Sequence, residues 1–520
     1  MSSPQPSEKY VVRKEYNEPI EAPDLSLKSW LRWIWRQLTS MRIALILLLL
    51  LALASVPGSL YPQRSADPNG VIIYFKNNPD LAPWLDNLQL FDVYSSSWFS
   101  SIYLLLFISL IGCVIPRVGV HYRALIAPPP QPPTSLSRLP AHKLLANTDK
   151  KYKLSKAEQY LKSKRFRVVA EKGSIRAEKG YLRETGNLLF HTSLIGVLIS
   201  VGLGGALSYS AQRVLVEGET FVNNEAGYDS YTPGLLFDSK NLTPFSITLD
   251  KFETIYDYKN PNNYGRPLDF IATVTSKLAN QDPTAEVIRV NNPLQLPNSK
   301  VYLTGNGFAP VIVLRDADGK VSFSGPVVFL PQDANLTSLG VIKNPDAKPQ
   351  QYGMMAFFYP TVATLKTGAL TSAHPEIINP LLTLNVYVGN LGLDNGIASN
   401  AFDLQTHGLK QVAGGKSAVK GIKLERGQTA KLPEGLGTIE FKDIKRFASL
   451  DITYNPGELF VLFFSILTFF GLIMMLITPR RRVWIRKTPD GIEVGAIAKT
   501  RDESLPKLVK EITKAMKKKD

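Results

Sequence analysis

His191 is the residue most able to take part in chemistry, because it is the only histidine within four long apolar segments. Imidazole is the side-chain group whose ordinary pKa lies closest to neutral pH. A polar group inside a membrane is costly and usually faces a partner, a cavity or a cofactor. Imidazole is also a common axial ligand of haem iron. His191 is therefore a candidate haem-iron ligand; a plain hydrogen bond to a neighbouring helix or a lipid headgroup is the alternative interpretation.

The other residues of reactive type indicate structural roles. Cys113 is the single cysteine and lies in an apolar segment, so we expect a small buried side chain and neither an internal disulfide nor CxxC chemistry. Asp316 and Asp318 fall in a predicted turn, where acidic residues are usual. Metal-ligand spacing is absent among the remaining histidines, which are His121, His142, His374 and His407. P-loop, GxSxG and kinase motifs are also absent, so the sequence does not predict a self-contained enzyme.

The four apolar segments predict transmembrane helices. A helix needs about 20 largely apolar residues to cross the hydrocarbon core. Asp, Glu, Lys and Arg are absent from all four segments, which cover residues 43–60, 98–115, 188–207 and 459–477. In the third, Ser200 and Gly204 form a small-xxx-small pattern that permits close helix packing. His191 would lie about 5 Å from the inner end of that helix, at about 1.5 Å of rise per residue.

The distribution of charge predicts how these helices are oriented. The net charge is +16, yet residues 208–458 contain 24 acidic and 22 basic residues. The positive excess therefore lies beside the apolar segments, and residues 116–187 alone contain 16 Lys and Arg. Because cytoplasmic segments of membrane proteins are rich in Lys and Arg, both termini and residues 116–187 are predicted to be cytoplasmic. Residues 61–97 and 208–458 are then external, and nucleic-acid binding is not expected.

The cytoplasmic segments have their own predicted structure. Residues 1–39 are a tail that is polar and disordered to residue 24 and forms an amphipathic interfacial helix over residues 25–38. Within residues 116–187 we predict a small αβ unit, with a helix capped by Ser155 and a hairpin turning at Lys172 and Gly173. Residues 478–520 are a basic tail.

Residues 208–458 carry the pattern of a large antiparallel β-rich domain. Apolar and polar residues alternate over 245–249 and 270–274, and Asp318-Gly319 is a hairpin turn between 311–314 and 321–323. A further strand is predicted at residues 382–388, and residues 396–420 are predicted to be a loop. We expect a β-sandwich or two packed β subdomains. The predicted fold class is thus an α+β membrane protein whose extracytoplasmic, sandwich-like domain lies between the third and fourth transmembrane helices.

Seven sequence segments carry a family signature. They are ALASVPGSLYPQR (52–64), LFHTSLIGVLIS (189–200), VNNPLQLPNSKVYLTGNGFAP (290–310), YPT (359–361), NPLLTLNVYVGNLGLD (379–394), DITYNPGELFVLFF (451–464) and RRRVW (480–484). In this order the chain resembles the ResB family of the system II cytochrome c maturation pathway, from about residue 40 to 485. Asn390 and Asn455 depart from the aspartate expected in that family, and both changes are conservative.

The resemblance implies a function shared with a partner. ResB-like proteins work with a ResC/CcsA-type membrane protein to move haem across the lipid bilayer and attach it to CXXCH motifs of apocytochrome c. The tryptophan-rich haem motif belongs to that partner and is absent here. His191 matches the family's membrane histidine, so the resemblance implies that it ligates haem in transit. The chain would then be at most a non-autonomous subunit of a haem lyase complex.

The resemblance also implies a location, and other functions remain open. The expected location is the plasma (inner) membrane, or the thylakoid membrane if the protein is plastid. One alternative is a transporter-associated protein, which would co-purify with an ATPase. A second is a membrane scaffold with no haem contact and no haem spectrum. A third is a redox partner acting through Cys113.

Overall fold

The structure is a computed structural model, which describes residues 26–146, 152–263, 265–393, 402–415 and 417–517. The predicted disorder of residues 1–24 lies outside the described residues. The chain divides into two compact units. One combines residues 1–198 with 462–520, and the other comprises residues 199–461.

The first unit begins with an interfacial-type helix and two long apolar helices. The helices are α1 (Leu27–Leu38), α2 (Met41–Leu60), α3 (Pro68–Asn77), α4 (Ala82–Asn87) and α5 (Ser97–Ile126). The side-chain oxygens of Ser40 and Ser96 accept from the free backbone N–H groups that open α2 and α5. Three tryptophans of α1 are half-exposed, as expected of a helix that lies at a membrane interface: Trp30, Trp33 and Trp35.

Two further apolar helices connect the units: α7 (Leu182–Ala206) and α8 (Glu458–Ile477). Together with α2 and α5 they give four helices that are long and apolar enough to cross a membrane. Two of the four extend beyond the predicted segments by more than one helical turn. Helix α5 continues past Pro116 to Ile126, and α7 begins at Leu182 rather than at Leu188. Proline is tolerated inside membrane helices, so Pro116 does not end α5.

A small αβ domain completes the first unit. Helix α6 (Leu154–Ser163) and helix α9 (Leu505–Met516) pack on a five-stranded antiparallel sheet. Its strands are β1 (Ala141–Ala146), β2 (Arg167–Glu171), β3 (Ser174–Lys179), β23 (Arg481–Thr488) and β24 (Gly491–Ala498), in the order β1-β24-β23-β3-β2. The core is aliphatic and includes Leu161, Val483, Ile485, Val494 and Ile512.

The structure confirms part of the predicted αβ unit and corrects the rest. The predicted hairpin is present as β2 and β3, with Gly173 in the left-handed conformation that its turn requires. The predicted capping box is wrong, because α6 begins at Leu154 and its N-cap is Lys153, which makes no side-chain capping bond. The C-terminal segment, for which the sequence indicated only a basic tail, supplies two strands and α9.

The second unit is a large domain of antiparallel sheets. Its strands are β4 (Tyr209–Val216), β5 (Thr220–Val222), β6 (Ser230–Pro233), β7 (Phe245–Asp257), β8 (Arg266–Leu278), β9 (Thr284–Arg289), β10 (Leu294–Leu296), β11 (Ser299–Arg315), β12 (Val321–Pro326), β13 (Leu330–Pro331), β14 (Ser338–Asn344), β15 (Tyr352–Tyr359), β16 (Val362–Thr364), β17 (Leu370–Ser372), β18 (Leu381–Val388), β19 (Lys410–Ala413), β20 (Ile422–Glu425), β21 (Thr429–Lys431) and β22 (Thr438–Tyr454). They form a seven-stranded sheet (β10-β11-β22-β4-β6 with β12 and β21), a six-stranded sheet (β13-β14-β15-β18-β19 with β20), a four-stranded sheet (β5-β7-β8-β9) and the β16-β17 pair.

Two hydrophobic cores share the long paired strands β11 and β22. At one end of this ribbon, Phe308 and Phe441 pack with Phe358 of the six-stranded sheet. At the other end, Val301 and Leu450 pack with residues of the four-stranded sheet. The β11–β22 ladder has two register shifts, at Leu303/Gly305 and at Val311/Ile312, and irregularities of this kind increase the local bend and twist of a strand pair.

The strands predicted in this domain are all present. Residues 245–249, 270–274 and 382–388 fall in β7, β8 and β18, and the hairpin at Asp318-Gly319 joins β11 to β12. The predicted loop at residues 396–420 is wrong for Lys410–Ala413, which form β19 on the edge of β18. Tertiary pairing with β18 gives this short segment a strand conformation that its own sequence does not signal.

Candidate functional site

His191 lies on α7 with a fixed tautomer. Its Nδ1 is 2.7 Å from the backbone oxygen of Asn187, one helical turn earlier. A carbonyl oxygen can only accept, so Nδ1 carries the proton and Nε2 keeps its lone pair in the neutral ring. Histidines that ligate metals are oriented by this kind of bond from the second ring nitrogen. The edge-on ring of Phe190, 5.1 Å from the imidazole, limits its movement further.

His191 lies farther along its helix than predicted. It follows Leu182, the first residue of α7, by nine residues, or about 14 Å at about 1.5 Å per residue. The additional turn carries Arg183, Glu184 and Asn187, so the apolar part of α7 still begins near Leu188.

A cavity of about 360 Å³ lies beside His191, where α5 and α7 meet the αβ domain. One part of its lining is apolar and comes mainly from α5: Val114, Pro116, Val120, Ala124 and Leu188. The other part is polar: Arg117, His121, Glu184, Asn187, His191, Arg480 and Lys499. The cavity therefore suits an amphiphilic ligand that has an apolar body and an anionic edge.

His121 is a second imidazole in the cavity lining. Its Nε2 is 3.1 Å from the hydroxyl oxygen of Thr185, whose own proton is within reach of the Tyr181 carbonyl oxygen at 3.3 Å. When Thr185 donates to Tyr181, it accepts from His121, and the lone pair of His121 is then on Nδ1. The sequence placed His121 in a loop. The extension of α5 past Pro116 places it on the helix that lines the cavity.

Ion pairs hold the polar wall of the cavity in place. Glu184 accepts from Lys499 at 2.6 Å and lies 3.3 Å from Arg480, which also donates to Glu178 at 2.7 Å. Burial by itself would lower the pKa of Arg480, but the hydrogen bonds and charge attraction of Glu178 and Glu184 together outweigh burial, and the pKa is raised above its usual value. Arg480 therefore stays charged throughout the physiological pH range.

Close contact between α7 and α8 positions the helical turn that carries His191. A methyl group added at Gly471 of α8 would lie 2.7 Å from the backbone nitrogen of Phe190 and 2.9 Å from the carbonyl oxygen of Gly186. Only glycine permits this approach, as small residues do in membrane helix pairs. Farther along α7, the predicted small-xxx-small pattern has the same role: Ser200 and Gly204 lie against Gly457.

Comparison with known protein families gives a match that includes all seven segments quoted from the sequence. The family model described as the ResB-like family matches residues 41–510. The chain belongs to the ResB-like family.

Several relatives of this ResB-like chain carry the name cytochrome c biogenesis protein CcsB. One from Paulinella chromatophora is 26% identical over 304 residues, which are 55% of this chain and 64% of the relative. One from Synechococcus sp. (strain WH7803) is 28% identical over 286 residues, or 53% of this chain and 61% of the relative. One from Prochlorococcus marinus (strain AS9601) is 24% identical over 479 residues, or 89% of this chain and 93% of the relative. The first two matches thus span about three fifths of the relatives' length.

Three other residues considered in the sequence analysis, Cys113, Asp316 and His374, lie outside the cavity lining and form local hydrogen bonds. Cys113 donates to the Thr39 carbonyl oxygen at 2.9 Å and packs between helices. Asp316 accepts from two backbone N–H groups of its hairpin turn, so its role there is structural. His374 accepts from the Glu376 N–H at 3.1 Å. Among the described residues no three His, Cys, Asp or Glu side chains converge as a metal site, whereas haem iron needs only one or two axial ligands.

Proposed function

We propose that this ResB-like chain acts in cytochrome c maturation as a membrane subunit that receives haem and helps to present it for attachment to apocytochrome c. Family membership and the relatives named cytochrome c biogenesis protein CcsB support this pathway. The observation that carries the haem assignment is His191, whose Nδ1–H is bonded to a helix carbonyl and which lines an amphiphilic cavity.

The residues of the cavity match the chemistry of haem. The Nε2 lone pair of neutral His191 provides one axial ligand for the iron. The apolar wall formed by Val114, Val120 and Leu188 covers the face of a macrocycle and limits access of water. A second ligand for the iron would come either from a histidine of a ResC/CcsA-type partner or from His121, and these two sources are separated by mutation.

The proposed orientation follows from the charges of the two units. The αβ domain contains the basic segments, so it faces the cytoplasm, and the large β domain faces outward. Haem then enters the cavity from the cytoplasmic side. The β domain either clamps the external loops of the partner or binds apocytochrome by adding an extended peptide to an exposed sheet edge such as β9.

The test compares the native complex with three histidine variants. The chain is purified with a co-expressed ResC/CcsA-type partner, and reduced-minus-oxidised absorption spectra are recorded for native protein, His191→Ala, His121→Ala and His407→Ala. His407 is an exposed histidine of the β domain and serves as the matched control.

Loss or displacement of the haem bands in His191→Ala, with His407→Ala unchanged, is the expected result. Loss of the bands in His121→Ala as well would assign the second axial position to this chain. Haem bound identically by native protein and His191→Ala would make the chain a scaffold. No bound haem in a complex that still matures c-type cytochromes would refute the proposed function.

A further inference from the structure

The cavity beside His191 carries more positive than negative charge. Three cationic side chains line it, Arg117, Arg480 and Lys499, against the single carboxylate of Glu184. The lining therefore has a formal surplus of two positive charges with the histidines neutral. A cavity lined by charges of one sign attracts ligands of the opposite sign, so this lining favours an anionic ligand.

Arg117 is the cation least committed to the protein. Among the described residues Arg117 donates to the sulfur of Met41 at 2.8 Å and makes no ion pair with a carboxylate. A thioether is a weak acceptor, so most of the donor capacity of this guanidinium is available. By contrast, Arg480 is fixed by Glu178 and lies 13% exposed.

Lys499 shares its partner. Glu184 is contacted by both Lys499 and Arg480, so one carboxylate serves two cations. The side chain of Lys499 is 59% exposed, and its ammonium has two N–H donors beyond the one directed to Glu184. Arg117 and Lys499 are thus the two cations with unused hydrogen-bonding capacity at this site.

Haem carries two carboxylates on one edge of an otherwise apolar ring. We propose, on the basis of the haem-receiving function above, that Arg117 and Lys499 bind the two carboxylates while the apolar wall of the cavity covers the ring. Arg117 and Lys499 supply one cation for each of the two anionic groups. Charge-assisted hydrogen bonds of this kind are short and directional, so they fix which edge of the ring faces the αβ domain.

A lipid phosphate is the other anion that could bind these cations. The two sources differ in a way that can be measured. Haem dimethyl ester keeps the iron and the ring but has no carboxylate charge, so it separates carboxylate recognition from iron ligation. Anchoring through the carboxylates makes native protein prefer haem over its ester, whereas occupation by lipid does not.

The experiment measures binding of haem and of haem dimethyl ester to the full chain, purified with its co-expressed partner, by absorbance titration. Arg117→Gln and Lys499→Gln are the test variants. Arg123→Gln is the matched control, because Arg123 is an exposed arginine of the same helix, α5, and does not line the cavity.

Each test variant should bind haem about tenfold more weakly than native protein, as expected for loss of one charge-assisted hydrogen bond. Affinity for the ester should stay within about twofold of native, which also shows that the variant is folded and that its iron site is intact. Arg123→Gln should match native protein with both ligands.

The outcomes separate the failure of this inference from the failure of the proposed function. If the test variants bind haem as native protein does, or lose haem and ester affinity equally, the carboxylate assignment is refuted. If native protein binds haem and haem dimethyl ester equally, the result fits cations occupied by a lipid headgroup, and the carboxylate assignment is also refuted. If His191→Ala binds both ligands like native protein, the haem-receiving function itself is wrong.

Discussion

The contact between α7 and α8 leads to a quantitative prediction for Gly471→Ala. The added methyl carbon would lie 2.7 Å from the Phe190 nitrogen, 2.9 Å from the Gly186 oxygen and 3.1 Å from the Phe190 Cα. All three neighbours are backbone atoms, so no side chain can rotate away and one helix must move. Overpacking of this kind costs about 1–3 kcal/mol. It opposes a gain of about 1 kcal/mol from replacing glycine inside a helix.

The control for this substitution is Gly119→Ala in α5. A methyl group there meets nothing within 4 Å, so only the gain in helix propensity applies. The free energy of unfolding, measured by equilibrium SDS titration in mixed micelles, should therefore be about 1–3 kcal/mol lower for Gly471→Ala than for Gly119→Ala.

Two results would contradict the reasoning on Gly471. One is equal stability of the two variants, which would mean that α7 and α8 are not in backbone contact at this point. The other concerns His191, which follows the displaced Phe190. If Gly471→Ala is destabilised yet leaves the absorption bands of bound haem unchanged, α8 does not position the imidazole.

Two further predictions concern the αβ domain and the cysteine. Burial acts to raise the pKa of Glu178, but hydrogen bonds from Arg482 and Arg480 hold it below its ordinary value of 4.5. The ionised Glu178 carboxylate therefore stabilises the folded state fully above pH 4.5, and this contribution to the free energy of unfolding is lost as the pH falls below that value. Glu178→Gln should lower the free energy of unfolding by about 3 kcal/mol at neutral pH and flatten its decline in acid, and parallel acid profiles of variant and native protein would contradict this. Cys113→Ser keeps a donor for the Thr39 carbonyl, so stability should change by less than about 1 kcal/mol and cytochrome c maturation in cells should persist; loss of maturation in a stably folded variant would restore a redox role.

Local pattern was sufficient for the elements whose sequence signal is strong. Runs of about 20 apolar residues identified the four long helices, and alternation identified β7 and β8. The ends of the helices were less readable. Helix α7 begins in a polar turn that has no membrane signal, and its start is set by packing. The capping box at Ser155 is a frequent tetrapeptide pattern that the fold does not use.

Long-range pairing set the limit of the sequence analysis. Strand β23 pairs with β3 although some 300 residues separate Val483 from Ala177. Each strand is short, and nothing in either one identifies its partner, because backbone hydrogen bonds are the same for all sequences. The sequence of the C-terminal segment therefore indicates only a basic tail, although the segment forms two strands of the sheet and α9.

The same limit explains which part of the candidate site was predicted. His191 was identified because a histidine in an apolar segment is rare and costly. Arg117 and His121 joined it only because α5 continues through Pro116. Lys499 lines the cavity because it directly follows Ala498, the last residue of β24. Arg117, His121 and Lys499 are of common residue types, so only their positions in the folded chain make them part of the site. Those positions could not be predicted from the sequence.

The cavity therefore depends on the folding of the αβ domain. Arg480 immediately precedes β23 and Lys499 immediately follows β24, so both cations are placed by the sheet rather than by the membrane helices. Both contact Glu184 in the first turn of α7, two turns before His191. A change in the αβ domain that moves this strand pair would move the cationic edge of the cavity while leaving the imidazole on its helix.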